Sequence, residues 1–165
     1  MLSIVKSMTL HGLEGFIVDV QVDVAGGLPC WEIVGLPDVS IRESKERVRT
    51  AIKNSGYEFP SRRIVINLAP ATIKKVGSAF DLPIAVAILL ATDNINEFDF
   101  ENVAFVGELS LDGNVHSING ILPMCIEALN LGIKRVILPK SNEREALIIK
   151  GLEAVAVSNL KECID

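Results

Sequence analysis

FIVDVQVDV, residues 16–24, alternates apolar and polar side chains from Val18 to Val24; Phe16 continues the apolar series, and Ile17 is the one apolar residue on the other face. Strict alternation puts every second side chain on the same face of a β-strand, so one face of this segment is apolar and the other is polar. The segment therefore predicts a half-buried strand. Apolar segments near residues 2–9 and 30–35 flank it, and Gly26 and Gly27 supply a turn before the second of them. We expect these three strands to form an antiparallel meander.

Helices alternate with strands in the rest of the chain. Ser40 and Glu43 form a capping box at the start of a first helix, which extends to Gly56. RIVINLA, residues 63–69, predicts a strand, and a mostly apolar helix begins at Asp81. Further strands are expected near 102–109 and 114–118 and over RVILP and EAVAV, with helices near 121–131 and after Ser141. Because this alternation requires parallel pairing, the sequence predicts a mixed-sheet α+β domain, an α/β sandwich with the meander first and βαβ units second.

The composition is that of one ordinary folded domain. The 165 residues are 49% apolar and 22% charged, which excludes the class of highly charged, disordered chains. The longest apolar stretches are shorter than the roughly 20 residues that cross a bilayer, and the amino terminus lacks the pattern of a secretory signal. We therefore expect a cytoplasmic protein without membrane contact. Residues 1–165 are predicted to form a single domain, and the short helix that NLKECID begins favours a boundary before another module.

Basic residues are concentrated in one part of the chain. Between Arg42 and Lys75 there are nine basic and three acidic residues, a balance of +6, so the remainder of the chain carries −11. Four of the cations recur at three- and four-residue spacing on the first helix, and four more lie in flanking loops. Such a surface can hold DNA phosphates of any sequence, contact a neighbouring subunit, or be merely solvated. The candidate contacts are Arg42, Lys45, Arg49, Lys53, Arg62, Arg63, Lys74 and Lys75.

Motifs for cofactors and metals are missing from the sequence. There is no G-x-x-x-x-G-K-[ST] run, which excludes ATP binding by a P-loop in this chain, and no G-x-G-x-x-G between a strand and a helix. His11 and His116 lie far apart in sequence, and Cys30, Cys125 and Cys163 form no C-x-x-C pair. The sequence therefore predicts no cofactor and no metal here, and reduced thiols of which at least two are packed inside.

Six phrases carry a resemblance to a known family. They are VGLPD (34–38), RESKERVR (42–49), IKNSG (52–56), NLAPA (67–71), FDLP (80–83) and GELSLDG (107–113). Together they resemble the amino-terminal, Lon-protease-like domain of the ComM/YifB family of magnesium-chelatase-like AAA+ ATPases. The resemblance implies a Lon protease-like fold and a downstream AAA+ module that binds ATP and Mg. It also implies a homo-oligomeric, hexameric ring that acts on DNA in branch migration during natural transformation and recombination.

The resemblance to Lon can be tested at the peptidase positions. Lon peptidases use a serine nucleophile and a lysine amine, which must lie within hydrogen-bond reach of each other. The serine motif aligns with Ser78-Ala79-Phe80-Asp81 and puts Ala79 at the nucleophile position, with Ser78 one residue early. The lysine motif aligns with Asn119-Gly120-Ile121-Leu122 and puts Leu122 at the position of the base. The resemblance thus implies a non-catalytic accessory domain; a residual peptidase that uses Ser78 and a stand-alone interaction module remain the alternatives.

Six residues of the family signature are expected to be structural. Asp81 is predicted to be the amino-terminal cap of its helix, where Pro83 is tolerated because first-turn amides have no intrahelical partner. Pro37 is predicted to fix the turn before the cationic helix, and Asn67 to satisfy loop backbone groups. The set comprises Pro37, Asp38, Asn67, Pro70, Asp81 and Pro83.

Overall fold

The computed structural model describes residues 1–92 and 100–164. Within these residues, nine strands and five α-helices follow one another, with a 3-10 turn at Lys140–Asn142. In chain order they are β1 (Leu2–His11), β2 (Glu14–Ala25), β3 (Cys30–Val34), α1 (Val39–Asn54), β4 (Arg63–Ala69), α2 (Asp81–Ala91), β5 (Val103–Phe105), β6 (Glu108–Leu109), β7 (Val115–His116), α3 (Ile121–Asn130), β8 (Arg135–Pro139), α4 (Glu143–Ala146), β9 (Glu153–Val157) and α5 (Leu160–Ile164).

A seven-stranded mixed sheet forms the centre of the domain. Its strand order is β3-β4-β2-β1-β5-β8-β9, and β6 and β7 form a separate antiparallel pair. The pairs β1/β2 and β2/β4 are antiparallel, whereas β3/β4, β1/β5, β5/β8 and β8/β9 are parallel. The expected mixed-sheet α+β domain is confirmed, with parallel crossovers throughout its second half.

The expected three-stranded meander is wrong at its third strand. β3 does not pair with β2; it pairs in parallel with β4, which lies between them. The segment β3-α1-β4 is therefore a βαβ unit, the arrangement that joins parallel neighbours through a helix. Hydrophobic alternation shows which face of a strand is buried but not which strand lies beside it, so sequence proximity suggested the wrong neighbour.

The two faces of the sheet carry two hydrophobic clusters. The alternating segment in β2 behaves as expected, because Val18, Val20, Val22 and Val24 are all buried on one face. That face packs against α1 and α2, and α3 covers the opposite face of β1 and β2. Gly15 permits the close approach of α3, since a Cβ atom there would come within 2.7 Å of the Glu127 Cβ.

The two helices on the first face differ in character. All eleven residues of α2 are buried, as its apolar sequence predicts, and Pro83 lies in its first turn. α1 is amphipathic and buries Ile41, Val48, Ala51 and Ile52, whereas Arg42 and Lys53 are exposed and Arg47 is half-buried. Its amino-terminal cap is Asp38, whose Oδ1 accepts from the Ile41 amide at 2.9 Å, so the predicted capping box at Ser40 is wrong. None of the described helices is long and apolar enough to cross a lipid bilayer.

Candidate functional site

The two segments that align with the Lon motifs meet across one groove. The groove has a volume of about 340 Å³ and lies between the loop before α2 and the loop before α3. Ser78 and Ala79 form one wall, and Ser117, Ile118 and Asn119 line the other. The remaining lining residues are Thr9, Leu10, Val76, Gly77, Glu108 and Met124.

Backbone hydrogen bonds fix the loop that carries Ser78 and Ala79. The Gly107 amide donates to the Ala79 carbonyl at 2.9 Å, and the Asp81 amide donates to the Ser78 carbonyl at 3.1 Å. Leu122 lies in the first turn of α3 and does not line the groove. Among the described residues that line the groove there is no lysine, arginine or histidine. The groove as described therefore brings no basic side chain to Ser78, which a serine–lysine mechanism would require.

Lys75 is not the surface cation that its loop position suggests. Its side chain is fully buried, and its Nζ donates to the carbonyl oxygens of Pro70 and of Gly35, the latter at 2.8 Å. Burial lowers the pKa of the Lys75 ammonium from its ordinary value. Because the amine is buried and bound to two carbonyls, it is available neither to DNA phosphates nor to Ser78. The prediction that Lys75 contacts DNA or a subunit is corrected on this ground.

Lys75 belongs instead to a junction that joins the turn before α1 to the loop before the groove. The Lys75 amide donates to the Leu36 carbonyl at 3.0 Å, and the Asp38 amide donates to the Lys75 carbonyl at 3.1 Å. Asp38 Oδ2 also accepts from the Gly77 amide at 2.9 Å. Pro37 pairs with Lys75 as an isolated bridge, so it lies in the turn where it was expected. The signature residues of these two segments thus form one structural unit.

Asp81 is not a helix cap, because Phe80 occupies that position and makes no side-chain cap. The Asp81 carboxylate is 1% exposed and accepts from Arg47 Nε at 2.7 Å and Nη2 at 3.1 Å. The Leu109 amide donates to it at 3.0 Å. Burial raises the pKa of Asp81 to about 6, and the bonds from Arg47 and Leu109 act against that rise. Asp81 therefore ties α2 to α1 and to β6 through a buried ion pair.

Asn67 also has a different partner from the one predicted. Its Nδ2 donates to Gln21 Oε1 at 2.9 Å, and the two residues lie opposite each other on β4 and β2. The bond is a cross-strand side-chain pair rather than a contact with loop backbone.

The candidate cations do not form one continuous surface. Arg42 and Lys45 line a small groove beside the edge strand β3, together with Glu32, Ile33 and Val34. Arg63 follows Arg62 directly but begins β4 next to the buried Ile64, so its side chain points to the opposite face of the sheet from Ile64. Lys74 is exposed in the loop before the groove.

Arg49, Lys53 and Arg62 come together in what we call the cationic cleft. The cleft has a volume of about 260 Å³ and is bounded by Pro29–Trp31, the last turns of α1 and the segment 59–62, with Ile64 at its base. Trp31 and Phe59 stack in its wall, with ring centroids 5.0 Å apart and planes at 12°. The Arg49 guanidinium carbon lies 5.8 Å from the Trp31 ring centroid and 5.4 Å from that of Phe59. The sequence analysis does not indicate this cluster, because its parts come from three separate segments.

The thiols differ in exposure. Cys30 is exposed at the cleft, Cys125 is buried and Cys163 is half-buried, so the expectation that at least two are packed inside is met only in part. Burial raises the pKa of Cys125 to about 11 and that of Cys163 to about 12. Among the described residues, no three His, Cys, Asp or Glu side chains lie where they could hold a metal ion.

The architecture and the groove define the class of protein to which the chain is similar. Lon protease 2 of Bacillus subtilis is 30% identical over 181 aligned positions, which cover 98% of this chain and 32% of that protein. The mixed sheet and the meeting of both motif segments at one groove agree with that similarity. The chain is therefore an α/β domain that is similar to Lon protease over nearly its whole length.

The family follows from a second set of matches. The model of the family described as subunit ChlI of Mg-chelatase matches residues 20–142, and the chain belongs to this family. YifB of Escherichia coli K12 is 38% identical over 97% of the chain, and the competence protein ComM of Haemophilus influenzae is 36% identical over 90% of it. The chain spans about a third of these relatives, 31% of YifB and 29% of ComM.

The residues of this chain do not fit the nucleotide and magnesium that the family name suggests. The sequence contains no P-loop lysine motif, and the groove lacks the cations that hold nucleotide phosphates. No step of nucleotide chemistry is therefore assigned to this chain.

Proposed function

We propose that the chain is the non-catalytic, amino-terminal accessory domain of a ComM/YifB-type AAA+ ATPase that acts on DNA. In this proposal the downstream module of the same polypeptide binds ATP and Mg, and the full-length protein forms a homo-oligomeric ring in the cytoplasm. Its activity is that of a helicase, with branch migration during natural transformation and recombination as the specific role.

The observation that carries the proposal is the groove. It brings the two motif segments of a Lon-type site face to face, yet Ala79 stands at the nucleophile position and Leu122 at that of the base. A serine–lysine mechanism needs both groups within hydrogen-bond reach. A domain that carries this groove without that pair would act in binding or assembly rather than in bond cleavage.

Two further facts support the connection to a larger motor. The chain spans 29% of ComM, a relative whose name assigns it to competence, so most of that relative lies outside the matched region. The chain itself carries exposed cations that include Arg49, Lys53 and Arg62. Sequence-independent contacts to DNA phosphates suit a motor that must act on DNA of any sequence.

The first experiment identifies the native product. An antibody against this domain, applied to lysate of the source cell, is expected to detect a protein much larger than 17.9 kDa. The purified product is then expected to hydrolyse ATP in response to DNA and to migrate a branched DNA junction, and its deletion variant lacking residues 1–165 to be impaired. A native product of only 17.9 kDa would overturn the proposal in favour of a stand-alone interaction module.

A second experiment separates the proposal from a residual peptidase. The folded chain is incubated with an unstructured peptide, with the Ser78→Ala variant as its matched control. We expect equal and background hydrolysis from both proteins, because the residues that line the groove offer no lysine to activate Ser78. Hydrolysis that disappears in Ser78→Ala would establish the peptidase and contradict the non-catalytic role.

A further inference from the structure

The cationic cleft combines three positive side chains with a rigid apolar wall. Arg49, Lys53 and Arg62 line it, and no acidic side chain is among the described residues that line it. Glu46 contacts Arg49 at 3.8 Å from outside the cleft, but its side chain is 76% exposed, so the pair is weakly held. Three cations around so small a volume attract an anion of more than one charge.

The aromatic pair holds Arg49 in place. Its guanidinium carbon lies within 6 Å of both ring centroids, the range in which a cation is attracted to an aromatic face. Arg49 is still 41% exposed, so its donors remain open to solvent on the cleft side. An arginine whose planar fork is fixed beforehand loses less side-chain entropy when it binds an oxyanion.

Trp31 adds a donor that has no acceptor among the described residues. Its side chain is 8% exposed, and its indole N–H is buried without a hydrogen-bond partner in that part of the chain. A buried donor without a partner is unfavourable, so a small shift of the ring toward an anion in the cleft would be stabilising. This observation is independent of the three cations and also points to an acceptor-bearing ligand.

The burial of the Trp31 ring indicates which part of a nucleic acid the cationic cleft can bind. Single-strand binders that hold bases do so on open aromatic faces, but the Trp31 ring is almost fully covered, by Phe59 and Arg49 among others. The cleft thus offers cations and N–H donors without a platform for bases. Phosphate groups, spaced along a strand, match that chemistry.

We propose that the cationic cleft is a binding site for the sugar–phosphate backbone of a nucleic acid strand, with Arg49 as its central ligand and Lys53 and Arg62 beside it. The proposal rests on the proposed function only in its choice of nucleic acid over a free phosphate compound. It narrows the eight candidate cations to three, and it adds Trp31 and Phe59 as residues that position Arg49.

The experiment uses the chain with its own fluorophore. Trp31 is the only tryptophan, so its emission reports on the cleft. A labelled oligonucleotide is titrated with the protein for anisotropy, and the same titration is followed by Trp31 emission at several salt concentrations. We expect a change in Trp31 emission at the midpoint of binding, similar affinity for purine and pyrimidine homopolymers, and affinity that falls as salt rises.

Charge-matched variants test the location. Lys53→Gln with Arg62→Gln removes two exposed cations of the cleft, and Lys134→Gln with Arg144→Gln removes two exposed cations elsewhere. The cleft pair is expected to weaken binding by about tenfold or more and to reduce the salt slope by about two, whereas the distant pair leaves both within about twofold. Because these four side chains are exposed, the substitutions should not disturb folding. Arg49→Lys then tests whether the planar guanidinium group itself matters, and we expect it to lose less oligonucleotide affinity than Arg49→Gln.

Each outcome decides the proposal. Equal weakening by both charge-matched pairs, or binding without a change in Trp31 emission, would overturn the cleft as the site. Pyrophosphate that binds as tightly as the oligonucleotide would overturn the nucleic-acid assignment in favour of a free phosphate ligand. These results are independent of the ATPase and branch-migration assays on the full-length protein, so failure here and failure of the proposed function can be told apart.

Discussion

The groove and the cationic cleft are opposite in chemistry although one domain carries both. The described residues that line the groove supply hydroxyls, an amide, a carboxylate and apolar groups, with no cation among them. The cleft has no counterpart in the peptidase motifs and is lined by three cations and an aromatic pair. The comparison teaches that one fold can carry two surfaces of different chemistry, and that a hypothesis of anion binding applies to the surface where the cations lie.

The Arg47–Asp81 ion pair connects the two regions. Asp81 follows the groove residues Ser78 and Ala79 within three positions, and Arg47 lies on α1, the helix that carries Arg49 and Lys53 to the cleft. The pair therefore offers the most severe way to disturb both regions at once.

The largest expected effect is that of Asp81→Ala. The change leaves Arg47 without its partner and the buried Leu109 amide without an acceptor, so we expect the free energy of unfolding to fall by about 3 to 5 kcal/mol. Urea denaturation at pH 7 measures this loss in the free energy of unfolding. The matched control is Glu43→Ala, which removes the other, exposed partner of Arg47 at 3.9 Å and should cost no more than about 1 kcal/mol. Equal losses in the two variants would refute the buried pair as the link.

The second-largest expected effect is a dependence of the free energy of unfolding on pH. Burial raises the pKa of Asp81 in the folded state to about 6 from an ordinary value of 3.8, so the folded protein holds this proton more tightly than the unfolded chain. Protonated Asp81 contributes its full stabilisation of the folded state below about pH 4, and this contribution is lost as the pH rises through about 6. Relative to Asp81→Asn, wild-type stability should therefore fall between pH 4 and 7, by up to about 3 kcal/mol. A constant difference across that range would contradict the raised pKa.

The smallest effect separates two lysines that the sequence analysis names as candidate contacts. Lys75→Met removes the donor to two carbonyls, so we expect stability to fall by about 2 kcal/mol while oligonucleotide affinity stays unchanged. Lys53→Gln should do the reverse, with stability within about 0.5 kcal/mol of wild type and weaker binding. Urea denaturation of both variants measures their stability, and fluorescence anisotropy measures their affinity for the oligonucleotide. Weaker binding by a stably folded Lys75→Met protein would show that the buried lysine contributes to the site after all.

Most of the helices and strands could be predicted from the sequence, because hydrophobic periodicity and the residues that end helices and strands are local signals. The alternation of 16–24 indicated β2 and its buried valines, and the apolar sequence after Asp81 indicated a helix covered on all sides. The strand neighbours of β3 could not be predicted. β4, which is distant from β2 in sequence, pairs with the edge of β2 that the meander would have given to β3.

The candidate site was predicted in part. Motif alignment located both walls of the groove and the residue types that replace the Lon pair, because these positions lie within short, continuous phrases. The roles of Lys75 and Asp81 were wrong for a common reason. A basic residue in a loop and an aspartate before a helix each have a usual local role, but here distant carbonyls and a distant arginine bind them instead.

By itself the sequence determined the class of fold, the family and the absence of a P-loop motif, since each depends on the order and type of neighbouring residues. Only the tertiary structure decided that Lys75 is buried, that Asp81 pairs with Arg47, and that Arg49, Lys53 and Arg62 share a cleft with Trp31 and Phe59. The physical reason is that burial and ion pairing depend on distances between segments far apart in the chain, and the packing of α1 against α2 and of β3 beside β4 sets those distances.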